Sequence, residues 1–294
     1  MRSARQARLP ADAQGGATAL SQRGATALWS RWKRAWRRRR EDALIRRRSI
    51  PDDLWNLSVQ RHPFVAIRSS DDIARLRRLS TLFLNDKEFT GAGGMQVDDE
   101  VAVTVALQAC LPILNLGLCR YEGFKGIVIH ANEVLAQRTE IDDDGVVHEY
   151  AEPLSGEAMQ GGPVMLSWPD VAEAGETAAW AYNVVIHEFA HVLDMHSHGS
   201  QAHLATPELR KLHQVWLCAL SREFEAFAEA VGSGADTVLD PYGAESIEEF
   251  FAVASEAFFV QAQELQRAHR ALYDLMRQYY LQDPAGDLPN RNSA

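Results

Sequence analysis

A chain of 294 residues, 46% hydrophobic and 24% charged, is long enough to bury a substantial core and is neither fibrous nor collagen-like. Its formal net charge of −10 is unevenly spread: residues 1–48 hold fourteen basic side chains against three acidic ones, so that segment carries +11 and the remainder −21. So acidic a body excludes general nucleic-acid binding, which needs Lys and Arg on the contacting face, and three cysteines without a CxxC pair (Cys110, Cys119, Cys218) exclude a disulfide framework and favour a reducing, cytoplasmic setting.

In chain order, residues 1–48 read as a basic, disordered tail. No apolar stretch of secretory length follows its arginines, and Trp29, Trp32 and Trp36 among them suit an anionic surface. Ser69 or Ser70 caps a predicted helix from Asp71, in which Ile73, Leu76, Leu79, Leu82 and Phe83 recur at spacings of three and four until Gly91, Gly93 and Gly94 end it. The acidic cluster Asp98–Glu100 suits the start of a second helix. Its continuation, Val101 to Cys119, carries no charge for 19 residues, the length of a membrane span. Pro112 divides it, so it reads as a buried core helix ending near Cys110, and no transmembrane segment is expected.

Short apolar or β-branched runs at Gly126–Ala131, Val146–Tyr150 and Pro163–Trp168 then read as strands. The last, PVMLSW, is the candidate edge strand to which an extended peptide could add. From Thr177 the helical pattern returns. Thr206-Pro207-Glu208 is a cap-plus-proline start, and Leu209, Leu212, Trp216, Leu220 and Phe224 line one face until Gly232. With no internal repeat, the chain reads as an α+β domain over residues 49–284, followed by a polar C-terminal tail, 285–294.

The strongest chemical signal is His187-Glu188-Phe189-Ala190-His191, an HExxH motif preceded by the helix-like apolar run AWAYNVVI. Histidines at i and i+4 lie one above the other on a helix and can share one Zn²⁺, with Glu188 beside the open position to take a proton from water. A third ligand must come from elsewhere: Asp194 stands where the longer HExxHxxGxxH pattern has glycine, and His196, His198 and His203 do not fit its spacing. His196 and His198 read as solvated loop residues. The helical block ESIEEFFAVASEAFF offers Glu249, with Glu248 and Glu256 as rivals, although Ser246-Ile247-Glu248-Glu249 also matches a capping box in which Glu249 merely reaches back to Ser246. Seven residues earlier, Tyr242 lies in the turn Asp240-Pro241-Tyr242-Gly243; a phenol near the metal could donate to an oxyanion, and spacing alone equally allows a packing role.

The stretches CLPILNLGLCRYEGFKGIVIH (110–130), QGGPVMLSW (160–168), IHEFAHVLDM (186–195), DPYGAESIEEFFAVASEAFF (240–259) and YYLQDP (279–284) together resemble the Mlc titration factor A family of bacterial zinc-dependent peptidases, also described as DgsA anti-repressors. That resemblance implies a zincin-like metallopeptidase domain, mostly helical with a small mixed sheet. It implies one Zn²⁺ per chain on His187, His191 and Glu249, with Glu188 as general base and Asp194 and Glu256 as partners orienting the ligating imidazoles. The chain is also distantly similar to the catalytic domain of anthrax lethal factor, where a tyrosine precedes the glutamate ligand by seven residues, as Tyr242 does here. The implied activity is peptide-bond hydrolysis on a peptide or protein substrate, with aminopeptidase-like cleavage as one form of it. The alternative is a non-catalytic protein that regulates sugar uptake by sequestering an Mlc-like transcriptional repressor. The Arg- and Trp-rich N-terminus has no counterpart in the resemblance.

Overall fold

The computed structural model describes residues 38–132, 134–141, 147–154, 156–158, 161–199 and 207–286, together with residues 32, 35 and 36. The sequence readings placed on residues 1–31, on Thr206 and His203, and on the C-terminal segment beyond Gly286 lie outside the described residues. Two units divide the chain, Met1–Ser49 and Ile50–Ala294. In the first, residues 38–48 form helix α1, within the segment the sequence reads as a disordered tail.

The second unit runs α2 (Asp52–Arg61), α3 (Pro63–Ala66), α4 (Ser70–Asp86), β1 (Glu88–Ala92), α5 (Asp99–Cys110), β2 (Gly126–His130), β3 (Val134–Ile141), β4 (Val147–Leu154), β5 (Gly156–Ala158) and β6 (Val164–Ser167). It continues with α6 (Trp168–Glu173), α7 (Val184–Gly199), α8 (Pro207–Gly232), α9 (Ile247–Val260), α10 (Ala262–Ala268) and α11 (Arg270–Tyr280). The result is mostly helical, with a four-stranded mixed sheet in the order β1-β2-β6-β5 and a separate antiparallel pair, β3-β4. Strands β1, β2 and β6 are parallel, and β5 runs antiparallel to β6. Among the described residues no helix is long and apolar enough to cross a membrane.

Local chemistry accounts for the helix starts. The Ser69 hydroxyl accepts from the Asp72 backbone N–H at 3.1 Å, and Asp98 Oδ1 accepts from that of Val101 at 2.9 Å, each satisfying a donor that the first helical turn leaves without a partner. Helix α5 is buried on nearly every side, which is why its sequence shows a continuous apolar run instead of a stripe. Ile127 and Ile129 of β2 face Val164 and Leu166 of β6 across the ladder, and all four are buried. The apolar side of α7 is anchored by Phe189, whose ring lies 4.9 Å from Tyr121, 5.7 Å from Phe83 and 5.9 Å from Phe124, centroid to centroid. Tilted and edge-on contacts of this kind suit the ring quadrupoles and fix the helix against the sheet side of the core.

Four sequence expectations need correction. Helix α4 ends at Asp86, not at the glycines, and Glu88–Ala92 is strand β1. Gly91 serves that strand by letting the Met95 carbonyl approach: a β-carbon there would lie 2.0 Å from its oxygen. The segment PVMLSW is not an edge strand, because β6 pairs with β2 on one side and β5 on the other; β5 is the edge. Its apolar run reflects burial on both flanks, as expected of an interior strand. Leu212 is 64% exposed and does not join the inner face of α8, where Trp216 and Phe224 pack on the aromatic rings of α9 and α11. Helix α7 extends to Gly199, so His196 and His198 lie on a helix and not in a loop.

Truncating Phe189→Ala removes the ring at the centre of this cluster and should cost about 3–5 kcal/mol of folding free energy. Denaturant unfolding of the chelator-treated protein checks it, since the loss must appear with metal binding removed from the balance.

Candidate metal centre

The centre is built where α7 meets α9. Residues four apart on α7 place His187 and His191 on one face, with ring centroids 4.9 Å apart. Glu249 enters from the first turn of α9. Its backbone N–H donates to Ser246 Oγ at 3.2 Å, so the first half of the capping box is present. The second half is not: the carboxylate turns away from the cap and meets His187 Nε2 at 3.0 Å and His191 Nε2 at 3.4 Å. Position in the first turn also sets Glu249 against the positive end of the helix dipole, which favours its ionised form. Of the rival acids, Glu248 is exposed and outside the cluster, and Glu256 approaches His187 from the opposite side of the ring.

The two imidazole Nε2 atoms are 3.2 Å apart, which closes a triangle of donor atoms with sides of 3.0, 3.2 and 3.4 Å. Donors bonded to a tetrahedral Zn²⁺ at its usual bond lengths lie about 3.3 Å from one another. The donor set therefore fits one small divalent cation in both chemistry and spacing. Among the described residues these are the three metal-capable side chains whose donor atoms converge.

Electrostatics point the same way. Burial alone would push the His187 pKa down, but the carboxylates of Glu249 and Glu256 flank it and drive it up to about 10. Burial would raise Glu249, yet hydrogen bonds with His187 and His191 outweigh that and hold it down to about 2. Surroundings that hold a proton so firmly on His187 favour any cation at that place. Glu188, only 5% exposed, is pushed up to about 7, chiefly by burial.

A second tier of contacts orients these groups. Glu256 is buried; its Oε1 accepts from His187 Nδ1 at 2.8 Å, and its Oε2 accepts from the backbone N–H of Asn183. Asn183 caps α7, taking the Ile186 N–H on Oδ1 at 2.9 Å, and its Nδ2 donates to Gln108 Oε1 at 2.8 Å. Gln108 in turn donates to the Thr104 carbonyl at 3.2 Å. A continuous polar path thus runs from the core helix α5 to the imidazole. Asp194, three residues past His191, is half-buried; burial is the chief cause that raises the Tyr280 phenol well above its ordinary value, and the charge of Asp194 adds the least to it.

Tyr242 sits in a 3-10 turn, Pro241–Ala244, that Asp240 opens by accepting the Tyr242 N–H at 2.9 Å. Its ring centroid is 6.2 Å from that of His187, and the side chain is 43% exposed. The turn is pressed onto α9 through Gly243, where a β-carbon would lie 3.3 Å from Val253 Cβ. Beside the centre a cleft of about 220 Å³ is lined by Val184, Leu239, Tyr242, Val253, Ala257 and the exposed Trp180, with His187 and Glu188 also in its wall.

Sequence reasoning missed Asn183, Gln108 and Gly156. A β-carbon on Gly156 of the edge strand would lie 2.5 Å from Glu188 Oε1, so the bare backbone there is what admits the carboxyl group. For Gly156 the sequence held no signal, because the three-residue strand that carries it shows no period. For Gln108 there was a weak one, a lone amide in an uncharged run whose burial requires a partner.

The family model of the glucose-regulated metallo-peptidases M90 matches residues 33–281, which takes in the later part of the Arg- and Trp-rich segment that the sequence reading left without a counterpart. An uncharacterized protein of Synechocystis sp. is 34% identical over 252 residues, 85% of this chain and 90% of its own. Mlc titration factor A of Pectobacterium atrosepticum is 30% identical over 228 residues, 77% of this chain and 85% of that one. The protein of the same name from Salmonella arizonae is 31% identical over 226 residues, 76% and 88% respectively.

Replacing Glu256 by Gln keeps the shape but removes the charge that holds His187 Nδ1–H. Chelator competition should show affinity for a divalent metal ion lowered by about 10–100-fold, whereas Glu248→Gln should leave it unchanged.

Proposed function

Because the chain belongs to the glucose-regulated metallo-peptidase M90 family, we propose that it is a zinc-dependent peptidase whose single Zn²⁺ is held by His187, His191 and Glu249. The observation that carries this reading is the triangle of donor atoms, 3.0 to 3.4 Å on a side, set beside a buried carboxylate. Two imidazoles and one carboxylate form a donor set suited to a catalytic zinc. Zinc bound there would acidify a water molecule and polarise the scissile carbonyl.

The chain's own groups do the rest. Glu188, raised towards neutrality by burial and walled in by Gly156, accepts the proton of the attacking water and returns it to the leaving amine. The Tyr242 hydroxyl donates to the oxygen that gains charge as the carbonyl carbon becomes tetrahedral. Its exposure and its position on a turn allow it to close onto a substrate. Glu256 keeps the Nδ1 proton of His187 in place, so that Nε2 presents its lone pair. An extended peptide adds to the edge strand β5, which passes Glu188, and sets one side chain into the cleft lined by Leu239 and Val253.

A second reading draws on the name of the relatives: the chain would titrate an Mlc-like repressor and so regulate sugar uptake without cutting it. The readings separate in one variant. Glu188→Gln should abolish peptide cleavage, with a loss of at least about 100-fold, while retaining one zinc per chain by metal analysis. Repressor capture that survives in the same variant would make binding a separate property. If the zinc-loaded wild type cuts no member of a broad peptide library, the peptidase reading is overturned.

Tyr242→Phe should lower kcat by about 10–1000-fold with KM little changed. Gly156→Ala should impair turnover by displacing Glu188 while leaving zinc bound. Steady-state kinetics with metal analysis check both.

A further inference from the structure

The peptidase reading leaves the first unit without a role, although its described residues pair exposed tryptophans with exposed arginines. Residues 32, 35 and 36 are helical, as is α1. Trp32 and Trp36, one turn apart, are 59% and 51% exposed. Ala43, seven residues beyond Trp36, falls on the same side of the helix. Arg38, Arg39, Arg40, Arg46, Arg47 and Arg48 are all exposed, against two half-buried acids, Glu41 and Asp42. The Arg40 guanidinium lies 4.5 Å from the centroid of the Trp36 ring, so cation and indole are offered together. Two indoles more than half exposed on one side of a helix and rimmed by arginine present apolar surface to their surroundings.

We infer that this N-terminal helix is a peripheral anchor for an anionic lipid bilayer, with Trp32 and Trp36 in the interfacial layer and the arginines against the headgroups. Indole rings settle at the level of the headgroups, where an apolar body and a polar N–H are both accommodated. Arginines beside them gain from the negative potential of an anionic leaflet, and long side chains on the indole side can reach back to it. The rest of the chain carries a formal −21 and is repelled by an anionic surface, so attachment falls to the basic helix alone and must outweigh that repulsion. A single-stranded nucleic acid would also meet the arginines and could stack on indoles. The pairing of two tryptophans at helical spacing favours a planar interface over a flexible strand, and the test separates the two.

The experiment is co-sedimentation of the full-length protein with vesicles of phosphatidylcholine, alone or mixed with phosphatidylglycerol, at low and high salt. Binding is expected only to the mixed vesicles, weakening steeply as salt rises. The double variant Trp32→Ala/Trp36→Ala should bind at least about tenfold more weakly, and Arg38→Gln/Arg39→Gln/Arg40→Gln about a hundredfold more weakly, roughly fivefold for each arginine removed. Circular dichroism and zinc content unchanged from the wild type in both variants would place these losses at the membrane and not in folding. Failure of the wild type to bind anionic vesicles, binding indifferent to the tryptophans, or tighter binding to a single-stranded oligonucleotide that the vesicles cannot displace would each overturn the inference. The readout does not depend on peptide cleavage, so failure of the peptidase reading leaves it intact.

Discussion

One buried carboxylate joins the two halves of the centre. Glu256 comes from α9, yet its two oxygens serve α7: one accepts from the imidazole of His187, the other from the backbone N–H of Asn183 at the start of the helix. A carboxylate this deeply buried is costly to hold without partners, and both of its oxygens are occupied. The same contact therefore fixes the ring of His187, the entry of α7 and the distance between the two helices. Any displacement of α9 would carry Glu249 with it, because Glu249 and Glu256 lie seven residues apart on one face.

Glu249 shows how a helix terminus can serve structure and site together. Its backbone N–H is satisfied by Ser246, which releases the side chain from the duty it has in a complete capping box. The freed carboxylate is then aimed at two imidazoles from a position where the helix dipole already favours negative charge. On the other side, Glu188 is kept close by the absence of a side chain at Gly156. The candidate ligand and the candidate base are thus positioned by opposite devices: an added hydrogen bond for one, a missing β-carbon for the other.

Much of this was legible in the sequence because it is local. The HExxH spacing puts both imidazoles on one helical face regardless of context, and Ser69, Asp98 and Ser246 announce the starts of α4, α5 and α9 through side chains that act within three residues. What the sequence concealed depends on pairings far along the chain. The edge status of β5 follows from the order in which strands assemble, and three residues carry no period by which to recognise a strand. Gln108 and Asn183 are 75 residues apart and meet only when α5 packs beneath α7. Gly91 looked like a helix terminator because glycine usually is one there; here it relieves a contact with the Met95 carbonyl. The choice of Glu249 over Glu248 turned on a rotation about α9, and its choice over Glu256, on the same face, turned on which turn of the helix meets the imidazole Nε2 atoms; residue spacing supplied neither, and the family resemblance did.

The most direct measurement is X-ray absorption spectroscopy of the zinc-loaded full-length chain, with the metal content determined on the same sample. The account requires one zinc per chain in a shell of nitrogen and oxygen neighbours at about 2.0–2.1 Å, with the outer-shell scattering of two imidazoles. Sulfur in the shell, fewer than two imidazoles, or zinc that washes away under conditions in which the fold persists would contradict it.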